Sequence, residues 1–466
     1  MINGLCGQSM LFALLLGITL LIFMLLKTKV HAFPELLITT VVVGVVGGMP
    51  LTNITQENGK TFGIINSITT GFGGTLGSIG IIIGLGVMMS RIFEATGAAK
   101  RMAYTFLKLF GKGREEEALA FTGFLVSIPI FCDSGFVILA PIAKALSRAT
   151  KKSVIALGTA LAAGLVITHS LVPPTPGPLG VCGIFGVDVG TYILIAIALA
   201  LPMAVASIFY SRVFLAKKFP CQVKENDEIA KGENQADNNS FNTNEEKLPN
   251  TFESFAPLVL PILLILINTV ASALNLKTGF MGVLVFLGQP IIAVGLGLML
   301  AIFSLGRHLD RDTVLAEMEK GMASAGIIML VTGGGGALGQ LIKDSGLGTY
   351  MAQGLAAASI PVVALPLLIS TMMRFVQGSG TVAMTTAAGI SAPILAAAGV
   401  NPLLGVIACC VGSLFFGYFN DSYFWVVNRT LGVREAKDQL MVWSVTSTVA
   451  WAIGVVEVIV LSFFMQ

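Results

Sequence analysis

The chain has 466 residues, of which 55% are hydrophobic and only 11% charged, against about a quarter charged in soluble domains. With a mean hydropathy of +0.86, this composition excludes an ordinary soluble protein and points to an integral membrane protein. The net charge of +3 says little about partners beyond the lipid bilayer, and no nucleic acid is expected among them.

The first apolar run, Met10–Leu26, is followed by Lys27 and Lys29, with no basic segment before it and no small-residue cleavage site. It is expected to be a retained helix rather than a signal peptide. Many later runs reach the roughly 20 residues that a helix needs to cross a bilayer. The run Pro261–Val270 does not alternate polar and apolar residues, which favours helices over a β-barrel. Residues 1–70 are read as N-terminal membrane helices and 71–217 as a first membrane repeat. A hydrophilic cytoplasmic linker spans 218–252, with Gln222–Asn250 too polar to bury. Residues 253–320 are further membrane helices, and 321–466 form a second repeat.

Within each repeat one apolar stretch is interrupted. In the first, Pro129-Ile130-Phe131-Cys132-Asp133-Ser134-Gly135 breaks the stretch 118–147. In the second, Arg374-Phe375-Val376-Gln377-Gly378-Ser379-Gly380-Thr381 breaks 362–399. Each stretch follows a small-residue helix that ends in a hydroxyl residue and glycine, Thr96-Gly97 or Ser345-Gly346. Paired breaks at matching places in two halves point to the substrate site of a secondary transporter. A broken helix also presents free N–H groups and a positive dipole end, which suit a carboxylate.

Each repeat carries a second interruption. In Thr168-His169-Ser170-Leu171-Val172-Pro173-Pro174-Thr175-Pro176-Gly177-Pro178 the prolines cannot continue a helix. His169 is suited to proton exchange or to bonding the broken backbone. Its counterpart is Gly417-Tyr418-Phe419-Asn420-Asp421-Ser422-Tyr423. An intramembrane carboxylate such as Asp421 or Asp133 is a functional candidate by default. Arg374 has three open roles: binding a substrate carboxylate, neutralising Asp133, or reaching an interface. Close helix packing accounts for Gly73, Gly77, Gly80 and Gly84.

The six cysteines lack metal or redox spacing, and Gly333–Gly336 lacks the Gly-Lys-Ser/Thr of a phosphate loop. No cofactor, metal or catalytic residue is expected, and the protein is not expected to be an enzyme.

Lys and Arg near helix ends set the orientation. Basic clusters at 100–114, 144–152, 212–218, 307–311 and 429–437 place those loops in the cytoplasm. They fit if 118–147 is a re-entrant hairpin entering from the cytoplasm and 362–399 one entering from outside. The fold expected is an all-α polytopic membrane protein: an inverted-repeat secondary transporter with about ten spanning helices and two re-entrant hairpins.

At these residues the chain resembles the gluconate permease (GntP) family of the ion transporter superfamily. The matching pieces are Phe131–Pro141, Thr168–Pro178, Gly378–Ala383 and Asn420–Trp425. The resemblance spans the whole chain and is most specific in Thr-His-Ser-Leu-Val-Pro-Pro. It implies a symporter of the bacterial inner membrane that couples proton entry to uptake of gluconate, a related sugar acid or a hydroxy acid. Where many members have His after the paired prolines, this chain has Thr175, so gluconate itself is less secure than the family.

On this reading a small organic acid anion and a proton are the partners. The substrate is expected at Asp133, Ser134, Gly135, His169, Ser170, Gly378, Ser379, Gly380, Thr381, Asn420 and Asp421. His169, Asp133 and Asp421 are the candidates for carrying the proton, and the architecture suggests a homodimer. The alternative is a sodium-coupled carboxylate transporter or a carrier of a D-serine-like amino acid.

Overall fold

The computed structural model describes residues 7–55, 61–110, 113–221, 248–276, 278–357 and 361–465. The central part of the expected linker, 222–247, lies outside them. Apart from a two-residue β-ribbon pairing Ile54–Thr55 with Thr61–Phe62, the described secondary structure is helical.

The N-terminal half begins with α1 (Gly7–Lys27) and α2 (Ala32–Val46), which pack as a pair. Then follow α3 (Ile64–Thr96), α4 (Ala98–Phe110), α5 (Glu115–Val126), α6 (Cys132–Thr150), α7 (Val154–Leu171), α8 (Pro176–Phe185) and α9 (Val189–Tyr210). The C-terminal half opens with α10 (Thr251–Ala273), α11 (Gly279–Leu287) and α12 (Pro290–Leu300). It continues through α13 (Arg311–Asp344), α14 (Leu347–Ala357), α15 (Ala364–Gln377), α16 (Gly380–Ala397), α17 (Pro402–Gly412), α18 (Ser422–Thr430) and α19 (Val445–Phe464). From α3 and from α13 onward the order is the same: a long helix, a short helix, two arms, a broken helix and a long helix.

Among the described residues, eight helical stretches are long and apolar enough to cross a membrane, and four shorter apolar helices accompany them. Large side chains such as Phe280, Phe303 and Phe464 face outward, as lipid-facing residues do. The centre of the molecule is α7, whose residues from Ala156 to Leu171 are buried apart from a half-buried His169.

Arms α5 and α6 start and finish at one end of the bundle. The Lys152 ammonium after α6 meets Glu115 at 2.7 Å and Glu116 at 2.5 Å at the start of α5. Arg212 near the end of α9 meets Glu117 at 2.8 Å, and Arg307 after α12 meets Glu253 of α10 at 2.7 Å. The basic clusters of the sequence are thus tied together by ion pairs.

Helices α3 and α13 lie along each other, and α13 lies along α16. These contacts need glycine. A Cβ at Gly389 of α16 would come 2.3 Å from the carbonyl oxygen of Gly335, and one at Gly71 would come 2.4 Å from that of Gly336. The spaced glycines of α3 behave otherwise than expected. A Cβ at Gly73, Gly77 or Gly84 would meet nothing within 4 Å, and one at Gly80 the Met329 sulfur at 3.5 Å and the Leu76 side chain at 3.8 Å. Gly73, Gly77 and Gly84 mark an open face of α3 and Gly80 is buried at its margin, because α13 is approached through Gly71 instead.

Candidate functional site

Four helices begin in the middle of the bundle: α6, α8, α16 and α18. Each start follows from local chemistry. Thr175 precedes α8 and Pro176 opens it, the position where a missing N–H costs nothing. At the second hairpin, Gly378 takes φ +85° and closes α15, and Ser379 then caps α16 by accepting from the Val382 N–H at 3.4 Å. At α18 the Asp421 carboxylate is the cap, accepting from the Tyr423 N–H at 3.1 Å. The first hairpin turns more slowly, through 127–131, with the Ser127 hydroxyl donating to the Ile130 carbonyl at 3.2 Å. Neither Phe131 before α6 nor Thr175 before α8 caps its helix with a side chain. The first N–H groups of α6, and the Gly177 N–H between the two prolines of α8, therefore have no capping acceptor from that position.

The breaks meet in a cross-linked set. The Ser422 hydroxyl at the start of α18 donates to Asp133 in the first turn of α6, at 3.3 Å. The Asn420 amide donates to the carbonyls of Phe375 and Val376 in α15, at 3.0 and 3.1 Å. Gly378 lies so close to Asn420 that a Cβ there would come 2.3 Å from its carbonyl oxygen. Thr381 of α16 faces Gly177 of α8, where a Cβ would lie 3.4 Å from the threonine hydroxyl. Each hairpin tip thus touches the start or the break of a helix from the other half.

Arg374 neither neutralises Asp133 nor reaches an interface. Its guanidinium, buried in the last turn of α15, donates to Asp421 at 2.6 Å and also to the Gly378 carbonyl. The Trp443 indole N–H donates to the same Asp421 oxygen at 3.3 Å. Asp421 is therefore a buried, ion-paired cap rather than an interface residue near Arg429. Arg429 lies exposed over the Trp425 ring, 5.0 Å from its centroid. Asp133 differs. Its contacts are the Ser422 hydroxyl and the Cys132 thiol at 3.8 Å, with no cation paired to it among the described residues.

His169, in the last turn of α7, packs against the Phe131 ring at 5.6 Å between centroids. Its Nδ1 is buried and has no hydrogen-bond partner among the described residues. With Ser90, Phe131, Thr175 and Pro176 it borders a small cavity. Ser170 is buried beside it on α7, and Gly135 packs under Leu165 of the same helix, where a Cβ would meet that side chain at 2.8 Å. Ser134 lies beside Glu94 of α3. Glu94 is in turn held by Arg91 at 2.5 Å, which reaches Glu317 of α13 at 3.0 Å. Sequence reasoning missed Glu94, Ser422 and Trp443, because their partners are distant in the chain.

Comparison with known proteins now bears on this site. The sequence profile of the family described as GntP family permease matches residues 9–464. The chain belongs to the GntP permease family. It is 47% identical over 456 residues to an uncharacterized permease of Haemophilus influenzae, with 96% of this chain and 91% of that protein covered. It is 31% identical to the high-affinity gluconate transporter of Escherichia coli, with 96% and 98% covered. The crystal structure of the Alcanivorax borkumensis YdaH transporter matches with a TM-score of 0.59 at 18% identity, covering 97% of this chain and 98% of that one. That likeness concerns the fold. This GntP permease is a multi-pass membrane transport protein and not an enzyme.

Proposed function

We propose that this permease is a symporter that takes up a small hydroxylated monocarboxylate, such as gluconate or a related sugar or hydroxy acid, together with a proton across the bacterial inner membrane. The observation that carries the proposal is the meeting of helix starts from both halves, where Ser422 of α18 bonds Asp133 of α6 and no cation is paired to Asp133 among the described residues. The uncapped N–H groups of α6, with the Gly177 N–H of α8 beside them as a single further donor, suit a substrate carboxylate. Ser134, Ser170, Ser379, Thr381 and Asn420 offer donors to its hydroxyls, with Gly378 and Gly380 keeping the backbone accessible. Asp133 is the proton carrier in this proposal, and the unpartnered Nδ1 of His169 makes it the second candidate. Asp421 serves as an anchor for Arg374. The name of the Escherichia coli relative supports the substrate class.

Sodium coupling is the weaker proposal. A sodium site at the second tip would use its carbonyl oxygens, and that of Gly378 is already engaged by Arg374. The architecture that accompanies the proposal has about ten crossings, five in each of two inverted halves, with both termini outside and the bundle assembled as a homodimer.

Uptake of labelled gluconate, glycerate, 3-hydroxybutyrate and D-serine into proteoliposomes tests this. Accumulation of a hydroxy acid under an imposed ΔpH, abolished by a protonophore, is the expected result. Accumulation that requires a sodium gradient instead would overturn proton coupling.

A further inference from the structure

A second cavity lies away from the hairpin tips. It holds about 560 Å³ and opens between α3, α13, α8 and the C-terminal half of α16. That volume falls within the roughly 300–1,000 Å³ of small-molecule sites. A single charged side chain lines it, Lys343. Lys343 is exposed and has no ion-pair or hydrogen-bond partner among the described residues. Its neighbour Asp344 accepts from Ser67 of α3 at 2.6 Å and from Gln340 at 2.8 Å. The hydroxyl residues Thr70, Ser78 and Thr349 line the same space. An ammonium as the one charged group among neutral lining residues gives the cavity a positive potential.

The cavity has a floor. A Cβ at Gly183 of α8 would lie 3.2 Å from the Ser78 hydroxyl and 2.7 Å from Ile79. Below it, Leu179, Thr332 and Thr385 are wholly buried, and a Cβ at Gly180 would meet the two threonines at 2.9 and 3.1 Å. Gly177, which faces Thr381 of the second tip, is six residues before Gly183 on the same helix, about 9 Å along its axis. A seal of that thickness separates the cavity from the hairpin tips. Lys343 also lies at the end of α13 remote from Arg311, and the positive-inside rule places that end outside.

We infer that this cavity is an external loading site for the transported acid. Lys343 holds the carboxylate there and Thr70, Ser78 and Thr349 receive the hydroxyls, before the α8 seal opens toward the second tip. The inference rests on the carboxylate uptake proposed above and adds a second site for the same ligand class.

Two measurements on the full chain test it, using as probe whichever labelled acid the wild-type protein accumulates. In right-side-out vesicles, Lys343→Gln is expected to raise the KM for external acid about tenfold, the size of one charge-assisted hydrogen bond, and Lys343→Arg to restore it. Thr349→Cys is expected to react with a membrane-impermeant thiol reagent from outside, above the wild-type background, and external acid should slow that reaction. An unchanged KM in Lys343→Gln, or labelling of Thr349→Cys that the acid does not slow, overturns the loading site while leaving the transport proposal intact. A wild-type protein that accumulates no carboxylate overturns both.

Discussion

Arg374 and Asp421 form a buried ion pair at 2.6 Å, and their burial makes each dependent on the other. Removing one partner of a buried pair strands the other charge, at about 3–5 kcal/mol. Arg374→Ala should therefore lower the thermal stability of the detergent-solubilised protein sharply. Arg374→Met combined with Asp421→Leu should recover a substantial part of the loss, since no charge is then stranded. A double variant no more stable than the single one would mean that the pair does more than neutralise itself. Ser379 has two roles that can be separated. As the α16 cap it contributes about 1 kcal/mol, most of which glycine retains. As a substrate donor it would be lost in both Ser379→Ala and Ser379→Gly. Both are expected to weaken apparent affinity roughly tenfold, with only the alanine variant losing stability. Affinity unchanged in both would remove Ser379 from the site.

At the scale of elements, two helix contacts of α13 rest on glycine, and they differ in kind from the open glycine face of α3. Gly389→Val places a side chain against the α13 backbone, where a Cβ alone would come 2.3 Å from the Gly335 carbonyl oxygen. It should destabilise the protein by about 1–3 kcal/mol, read as a lower melting temperature or loss of folded protein in the membrane. Gly77→Ala, with nothing within 4 Å of the new atom, should be neutral or slightly stabilising, as alanine is in a helix. A strong loss at Gly77 would mean that another surface covers this face. The sequence marked Gly73, Gly77, Gly80 and Gly84 as packing residues and did not single out Gly71 or Gly389. Spacing alone does not distinguish a stripe that meets a neighbour from one that does not, because that depends on which face another helix takes.

Across the whole molecule, the legible features were those set by local chemistry. Composition gives the membrane class, and Gly378-Ser379 or Pro173-Pro174-Thr175-Pro176 mark helix breaks wherever they occur, because φ preference and missing N–H groups act within a few residues. The bonds that join the breaks were not legible. Arg374 and Asp421 are 47 residues apart, and Asp133 and Ser422 are 289 apart. Only the folded arrangement decides which of several polar groups become neighbours. The balance of charge in transport is also a property of the whole. One proton moving with one monovalent anion carries no net charge, so a membrane potential imposed at equal pH should leave initial uptake unchanged. Uptake that rises with a negative interior would require more than one cation per anion.

The central claim is that Asp133, left without a cation at the meeting of the helix starts, carries the coupled proton. Asp133→Asn in proteoliposomes measures it directly, with counterflow exchange and ΔpH-driven accumulation of the same labelled acid followed side by side. Exchange that persists while accumulation is lost is the predicted result. Accumulation retained at the wild-type level would contradict the claim and move the proton to another group.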